Sequence, residues 1–545
     1  MLFSQCVSLV RKHRVLLILG GIFLLAFFLR AYHFEEWLRF NEDQMRDGLI
    51  VDSILAGEEL PLLGPKAGGT DFKLGPAFYY LEASGTWLVS PLLSSTPVAL
   101  ALPVLLFSLL FLFLFFRIAE LLFTRHVALL STFLLGVSFF AIKYSRFAWN
   151  PNLVPFFGLF SLYALFKILT QKEMRWRWPV LAGISIGIGI QLHVLLFLIL
   201  PTLFLLTLLF ALRKKLPLKR AFLVTSCIVV FLNAPQLLSE YGSGLANSQA
   251  FFASLQGKTN EGFTPKEKIT HALTCSIQGN VAMLSSLKIS DDCDLFSAKN
   301  RTGRFFWPLV GSGALFLGGG ILLLFRSFRT HLDPAKRLLL GLIMLYSAFF
   351  FGVLIPLGEE VSLRFFIALL FFPFLLFGFW CDYLLTWHKK GAALFILLMT
   401  LLLAGSNLLT FTQVYITQTA ESKYFGGTRL GDMEPVARFI AEDIREEKKG
   451  DSPYYILDAR PVKAIAYLAR KKGATNLNPT NFDTLRSAPV AASMAGAYLI
   501  DELPETGEDG KKKKQAPKNL TGFTVQSETE VGRYLVTKIR SNVSQ

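Results

Sequence analysis

Phe40-Asn41-Glu42-Asp43-Gln44-Met45-Arg46-Asp47 sits in a polar loop between two long apolar runs, near 15–32 and 97–116, and Phe72-Lys73-Leu74-Gly75-Pro76-Ala77-Phe78-Tyr79-Tyr80 follows in the same loop. Asn41 is a favourable N-cap and Gln44 stands three residues on, so the first stretch predicts a capping box opening a helix that runs to about Ala56. Asp43 then lies in the first turn, where a carboxylate also complements the positive end of the helix dipole, an effect of about 0.3–1 kcal/mol. Asp43, Arg46, Asp47 and Ile50 share one face at helical spacing, while Met45, Leu49 and Leu55 line a greasy one, as an interfacial helix requires. The second stretch opens with Asp71-Phe72-Lys73, and Gly75-Pro76 marks the start of an aromatic helix continuing through Trp87, because proline is tolerated in a first turn. Lys73 beside that N-terminus is placed either to meet phosphate oxygens or to snorkel as an interfacial lysine.

The flanking apolar runs set the class. The 545 residues are 53% hydrophobic and include 52 Phe, and the mean hydropathy is +0.47, more apolar surface than a soluble fold would bury. Apolar stretches of roughly 20 residues place spans near 15–32, 97–116, 127–145, 151–169, 179–193, 194–212, 221–239, 305–325, 338–356, 364–384 and 391–413. The fold class is therefore a polytopic α-helical membrane protein with about 11 transmembrane helices and amphipathic helices in the first outer loop. Within 179–212, His193 and Pro201 are also compatible with one kinked helix. Two crossings are read there, because they put Arg175 and Arg177 on the same side as Arg213, Lys214 and Lys215.

The formal charge of +16 is distributed over alternate loops, as in Arg11–Arg14, Lys167–Arg177, Arg213–Arg220 and Arg326–Arg337, which argues for membrane orientation and against a nucleic-acid partner. Those loops are read as cytoplasmic. The loops 33–96 and 240–304 and everything after 414 then face outward, with the N-terminus inside and the C-terminus outside. The first apolar run follows a basic leader like a signal peptide, but it lacks a small-residue cleavage site and reads as a retained anchor. Cys275 and Cys293 fall in the long outer loop, where an oxidising compartment permits a disulfide between them.

Residues 1–413 are read as the transmembrane domain and 414–545 as an outer α/β domain. The latter is built from amphipathic 433–448, strand-like Tyr454–Leu457, helical 461–471, and strand-like 497–500 and 534–539. The insert 501–518, with the run Lys511–Lys514, reads as disordered.

The pattern Asp-x-x-Arg after the first membrane helix, followed by Lys73 before Gly75-Pro76 and an aromatic helix, resembles the GT-C type of membrane glycosyltransferase that uses polyprenyl-phosphate sugars. Protein O-mannosyltransferases and the lipid A aminoarabinose transferase are of this type. The resemblance covers roughly residues 15–385 and is most specific in the first loop. It implies an inverting transfer of a sugar from a polyprenyl-phosphate donor to a hydroxyl acceptor on the outer face of the plasma (inner) membrane. Asp43 is implied as the catalytic carboxylate, with Glu42 beside it as the other candidate, since relatives often carry an Asp-Glu pair here. Lys73, Arg46 and Arg364 are implied at the donor phosphate. The turn Tyr144–Asn152 is similar to one that lines the family's sugar pocket, which makes Arg146 and Asn150 candidates, with Tyr79 of the aromatic helix and His193. For Arg146 and His193 the alternatives are an interfacial arginine beside Trp149 and a satisfied core histidine.

No His, Cys or carboxylate spacing here resembles a metal site, and no Gly-rich loop cradles a nucleotide, so no metal and no cofactor are expected. A flippase or transporter of lipid-linked sugars is the alternative function. It would be expected to show repeats and ionisable residues near mid-membrane, which these spans largely lack. A non-catalytic membrane scaffold would leave the polar first-loop helices without a role.

Overall fold

A computed structural model describes the chain except residues 1, 92–95, 172–174, 260–263, 288–292, 294–305, 331–332, 359–360, 388, 420–427, 448–451, 458–460, 482–483, 486–493, 504–519 and 543–545. The insert expected to be disordered and the run Lys511–Lys514 lie almost wholly or wholly outside the described residues. The chain divides into two compact units, one of residues 1–32, 50–94 and 99–416, the other of 33–49, 95–98 and 417–545.

The helical unit follows the apolar runs. Its helices are α1 (Leu2–Ala31), α2 (Glu42–Ala56, begun in the other unit), α3 (Ala77–Val89), α4 (Thr96–Leu122), α5 (Arg125–Val137), α6 (Phe139–Lys143), α7 (Val154–Thr170), α8 (Arg177–Leu192), α9 (Val194–Arg213), α10 (Lys219–Leu232), α11 (Ala234–Gly242), α12 (Ala246–Thr259), α13 (Pro265–Ser285), α14 (Phe306–Thr330), α15 (Pro334–Leu357), α16 (Phe372–Trp387) and α17 (Lys389–Phe411). Large apolar side chains such as Leu24, Phe231, Leu322 and Leu402 are exposed on these helices, a surface that water disfavours and lipid accepts.

Among the described residues seven helices are long and apolar enough to cross a membrane, or up to nine if each of two bent pairs is one span. The expected eleven runs all coincide with helical segments, yet not all with full-length spans. α5 has 13 residues and α8 has 16, which at about 1.5 Å per residue fall short of a ~30 Å hydrocarbon core. Residues expected as single spans at 221–239 and 364–384 are bent pairs, with angles of 56° between α10 and α11 and 60° between the 3-10 helix Leu363–Leu369 and α16. The stretch 179–212 is two helices and not one kinked one. Gly189 of α8 lies against Leu196 and Leu200 of α9, so the chain doubles back at His193, whose backbone is extended.

The second unit holds a five-stranded sheet, β1 (Tyr454–Leu457), β2 (Leu477–Pro479), β3 (Gly496–Glu502), β4 (Phe523–Val531) and β5 (Tyr534–Ser541), in the order β2-β1-β3-β5-β4. β1 is parallel to β2 and β3, whereas β5 is antiparallel to β3 and β4. α18 (Leu430–Glu447) and α19 (Val462–Lys471) complete the unit, and α19 is the crossover that joins parallel β1 to β2. The edge strand β4 was not among the strands expected from sequence. Its interior, Thr524–Glu530, is polar and largely exposed, so it carries no apolar run to read.

Residues 33–41 belong to this unit and are built into it. Leu430 N–H donates to the Leu38 carbonyl at 2.8 Å and Phe40 N–H to that of Thr428 at 2.9 Å, while Arg39 and Arg429 form an isolated antiparallel bridge. Trp37, Leu38 and Phe40 are buried, with the Phe40 ring 5.8 Å from that of Tyr467 and the Arg429 guanidinium 4.4 Å over Trp37.

Candidate functional site

In the second unit, the opening of α2 carries the acidic cluster. Asp43 N–H donates to the Asn41 side chain at 3.0 Å and Asn41 N–H donates to that of Gln44 at 3.1 Å, the reciprocal cap that fixes this first turn. The Arg46 guanidinium is shared by two carboxylates. Its Nε and one terminal nitrogen meet Asp47 Oδ1 at 2.9 and 2.7 Å, and the other terminal nitrogen meets Asp43 Oδ1 at 3.1 Å. Asp43 is half exposed, but Asp47 is fully buried and its Oδ2 has no hydrogen-bond partner among the described residues. Burial pushes the Asp47 carboxyl up to about 7, against the pull of Arg46 and with a smaller push from the charge of Asp43. Glu42 pairs instead with Lys463 at 3.4 Å, both side chains exposed. Arg46, read from the resemblance as a phosphate ligand, holds carboxylates through both edges of its fork.

In the helical unit, Lys73 lies four residues ahead of α3 on the returning strand of a small hairpin, and not at the helix end expected from Gly75-Pro76. Gly64 N–H donates to the Leu74 carbonyl at 2.7 Å, Leu74 N–H to Pro65 at 3.0 Å and Ala67 N–H to Phe72 at 2.8 Å. Gly69, at φ 71°, turns the hairpin in a conformation that glycine tolerates. The Phe72 ring packs 5.6 Å from Phe197 and 5.0 Å from Phe251, which seats the hairpin on α9 and α12. Lys66 pairs with Asp71 at 2.8 Å, whereas Lys73 has no carboxylate partner among the described residues.

Gln191-Leu192-His193, where α8 turns into α9, gathers the other candidates. The Gln191 side chain accepts from Ala77 N–H at 3.1 Å and donates to the Gly187 and Leu232 carbonyls. Asn150 donates to the Leu192 carbonyl at 2.6 Å. His193 Nδ1 accepts from Leu195 N–H at 3.1 Å, which caps α9, and its ring stands edge-on 5.9 Å from Phe365, the neighbour of Arg364. Arg364 is exposed in the 3-10 helix Leu363–Leu369, without a carboxylate partner among the described residues. Asn150, His193 and Arg364 are thus tied to one short junction, Gln191 binds there the segment that follows Lys73, and Tyr79 is buried in α3.

Arg146 is placed elsewhere. It is buried over the Tyr415 ring, and it donates to the carbonyls of Leu29, Arg30 and Tyr32, the orphan acceptors at the C-terminal end of α1. With its fork occupied by main chain, it clamps a helix end. Cys275 and Cys293 are joined as a disulfide, with His271 Nε2 3.5 Å from the Cys275 sulfur. That trio is the one His/Cys/carboxylate group with metal-ligand proximity among the described residues, and its two thiols are consumed by the bridge. Sequence reading missed Gln191 and Asn247 as partners of the Lys73 segment, since lone amides carry no periodic signal, and it saw Asp47 only as a member of a helix face.

Residues 76–238, under a third of the chain, match the family described as dolichyl-phosphate-mannose-protein mannosyltransferase. The whole fold matches ArnT from Cupriavidus metallidurans bound to undecaprenyl phosphate, with TM-score 0.55 at 13% identity over 97% of this chain and 98% of that one. The chain thus shares its fold with this solved structure. A second solved structure, the archaeal oligosaccharyltransferase AglB from Archaeoglobus fulgidus in complex with an inhibitory peptide and a dolichol-phosphate, is also similar. It gives TM-score 0.51 at 14% identity over 90% of this chain and 70% of that one. No curated protein sequence is similar enough to count as a match. The chain is a multi-span membrane protein of this architecture.

Proposed function

We propose that the protein is an inverting glycosyltransferase that moves a sugar from a polyprenyl-phosphate donor to a hydroxyl acceptor. The observation that carries the reading is the pairing of this fold with two cations, Lys73 and Arg364, that stand without carboxylate partners among the described residues on elements tied to Gln191–His193. A polyprenyl phosphate needs its growing negative charge met as it leaves, and ammonium and guanidinium groups supply that without a nucleotide site. Asp43 takes the proton of the acceptor hydroxyl as its oxygen attacks the anomeric carbon from the face opposite the phosphate. The carbon–phosphate oxygen bond breaks in the same step, with inversion, and Arg46 holds Asp43 in place. Glu42 is the neighbouring alternative base. Charge on the leaving group comes from side chains in this reading, so neither a metal nor a cofactor is required. The chain lies in the plasma membrane with its N-terminus cytoplasmic and its sheet-bearing C-terminal part outside, in agreement with the distribution of basic loops.

Purified protein incubated with a panel of polyprenyl-phosphate sugars and hydroxyl acceptors tests the proposal. Product with inverted anomeric configuration by NMR, formed at an unchanged rate in EDTA, is the expected result. Retention of configuration would overturn the one-step mechanism, and loss of transfer in EDTA would overturn the metal-free reading. Movement of the intact lipid-linked sugar across the bilayer without transfer would replace the enzyme with a flippase.

A further inference from the structure

Asn247 lies at the start of α12, 174 residues from Lys73, yet its side chain meets both main-chain polar groups of that residue. Lys73 N–H donates to Asn247 Oδ1 at 2.7 Å and Asn247 Nδ2 donates to the Lys73 carbonyl at 2.9 Å. An amide in this geometry mimics one more strand beside the hairpin, and it holds one residue only. Asn247 is buried, so its own polar atoms would be costly to leave unpaired.

The backbone before Asn247 is arranged to put it there. Gly244 and Leu245 have φ of 66° and 67°, and the left-handed conformation at Leu245 is one that a residue with a Cβ rarely adopts. The Glu240 carboxylate accepts from Ser248 N–H at 3.1 Å, and Leu245 N–H donates to the Glu240 carbonyl at 2.9 Å, which closes the turn from α11 into α12. A second amide holds the far end of the same segment. A Cβ on Gly75 would come within 2.3 Å of Gln191 Oε1, so only glycine lets Gln191 reach the N–H of Ala77. Lys73 through Ala77 are thus pinned at both ends by amides from α12 and α8, while the Lys73 ammonium stays exposed.

We propose that Asn247 is a positioning residue for donor binding, which acts through Lys73 by fixing the main chain from which the ammonium meets the donor phosphate. The proposal rests on the reading of Lys73 given above and adds to it the residue that aims it. A preorganised cation binds phosphate more tightly than one that must be ordered on binding, because its conformational freedom is lost in advance.

A double-mutant cycle on the full-length protein, with undecaprenyl phosphate as the probe and binding measured in detergent, tests it. Lys73→Ala is expected to raise the Kd about tenfold. Asn247→Leu is expected to raise it several-fold in the wild-type background and to have no further effect in the Lys73→Ala background, because a residue that acts through another has nothing left to act on. Where Asn247→Leu fails to accumulate, Asn247→Ser, whose hydroxyl can satisfy one of the two main-chain groups, takes its place with a smaller rise and the same non-additivity. Equal losses in both backgrounds would overturn the proposal in favour of a general structural role. An unchanged Kd in the Asn247 variants, with Lys73→Ala weakened, would overturn it and leave the phosphate role of Lys73 standing. An unchanged Kd in Lys73→Ala would remove that role and the proposal with it.

Discussion

Two carboxylates one helical turn apart on α2 sit in different environments, and their difference is open to measurement. Asp43 is half exposed and held by one arm of Arg46, as a base that must reach a substrate should be. Asp43→Asn is expected to preserve folding and lipid binding while slowing transfer about 10²–10⁴-fold. Wild-type turnover in Asp43→Asn, with Glu42→Gln inactive, would move the role to Glu42. Asp47 is buried with one oxygen unpartnered among the described residues, and its carboxyl is pushed up to about 7 by desolvation. A carboxyl whose folded value lies above its unfolded value of about 4 favours folding in its protonated form, so this contribution is complete below about pH 4 and is lost as pH rises toward 7. The apparent Tm of Asp47→Asn relative to wild type should therefore climb between about pH 4 and 7. A difference that is flat or falls over that range, measured by thermal unfolding in detergent, would refute the assignment.

At the scale of elements, the hairpin 64–74 depends on how closely its two strands approach. A Cβ on Gly64 would stand 2.1 Å from the Gly75 carbonyl oxygen, a main-chain atom that cannot rotate away. Gly64→Ala must shift the hairpin, at a cost of about 1–3 kcal/mol, and with it the Lys73 main chain. Weaker binding of undecaprenyl phosphate, with the Tm lowered by a few degrees, is the expected outcome. Unaltered affinity would show that Lys73 tolerates movement of its strand. The hairpin was not legible from sequence because the deciding contacts, Phe72 on Phe197 and Phe251, come from distant segments. α2 was legible because its cap and its Asp43–Arg46–Asp47 pairs all lie within one or two turns of each other.

For the whole molecule, the Cys275–Cys293 bridge reports both redox compartment and orientation. It closes a loop with a sequence separation of 18, worth about 3 kcal/mol in the chain-entropy account. In a background with Cys6, Cys227 and Cys381 replaced by Ala, a membrane-impermeant thiol reagent applied to intact cells should label the protein only after reduction. Labelling before reduction would reject the bridge in the cell, and none after reduction would place this loop on the inner side. Disrupting the bridge should lower the Tm.

Composition and apolar runs by themselves determined a polytopic helical membrane protein with a small α/β domain after residue 414, because lipid burial and helical or strand periodicity are properties of consecutive residues. They also placed Asp43, Arg46 and Asp47 on one helical face, for the same local reason. Tertiary structure alone decided which helical runs are long enough to span and that Arg146 clamps the carbonyls ending α1. It alone put Asn247 and Gln191 on the main chain around Lys73, across 174 and 114 residues of sequence. Such contacts join single polar groups far apart in the chain, and no period or spacing in a sequence records them.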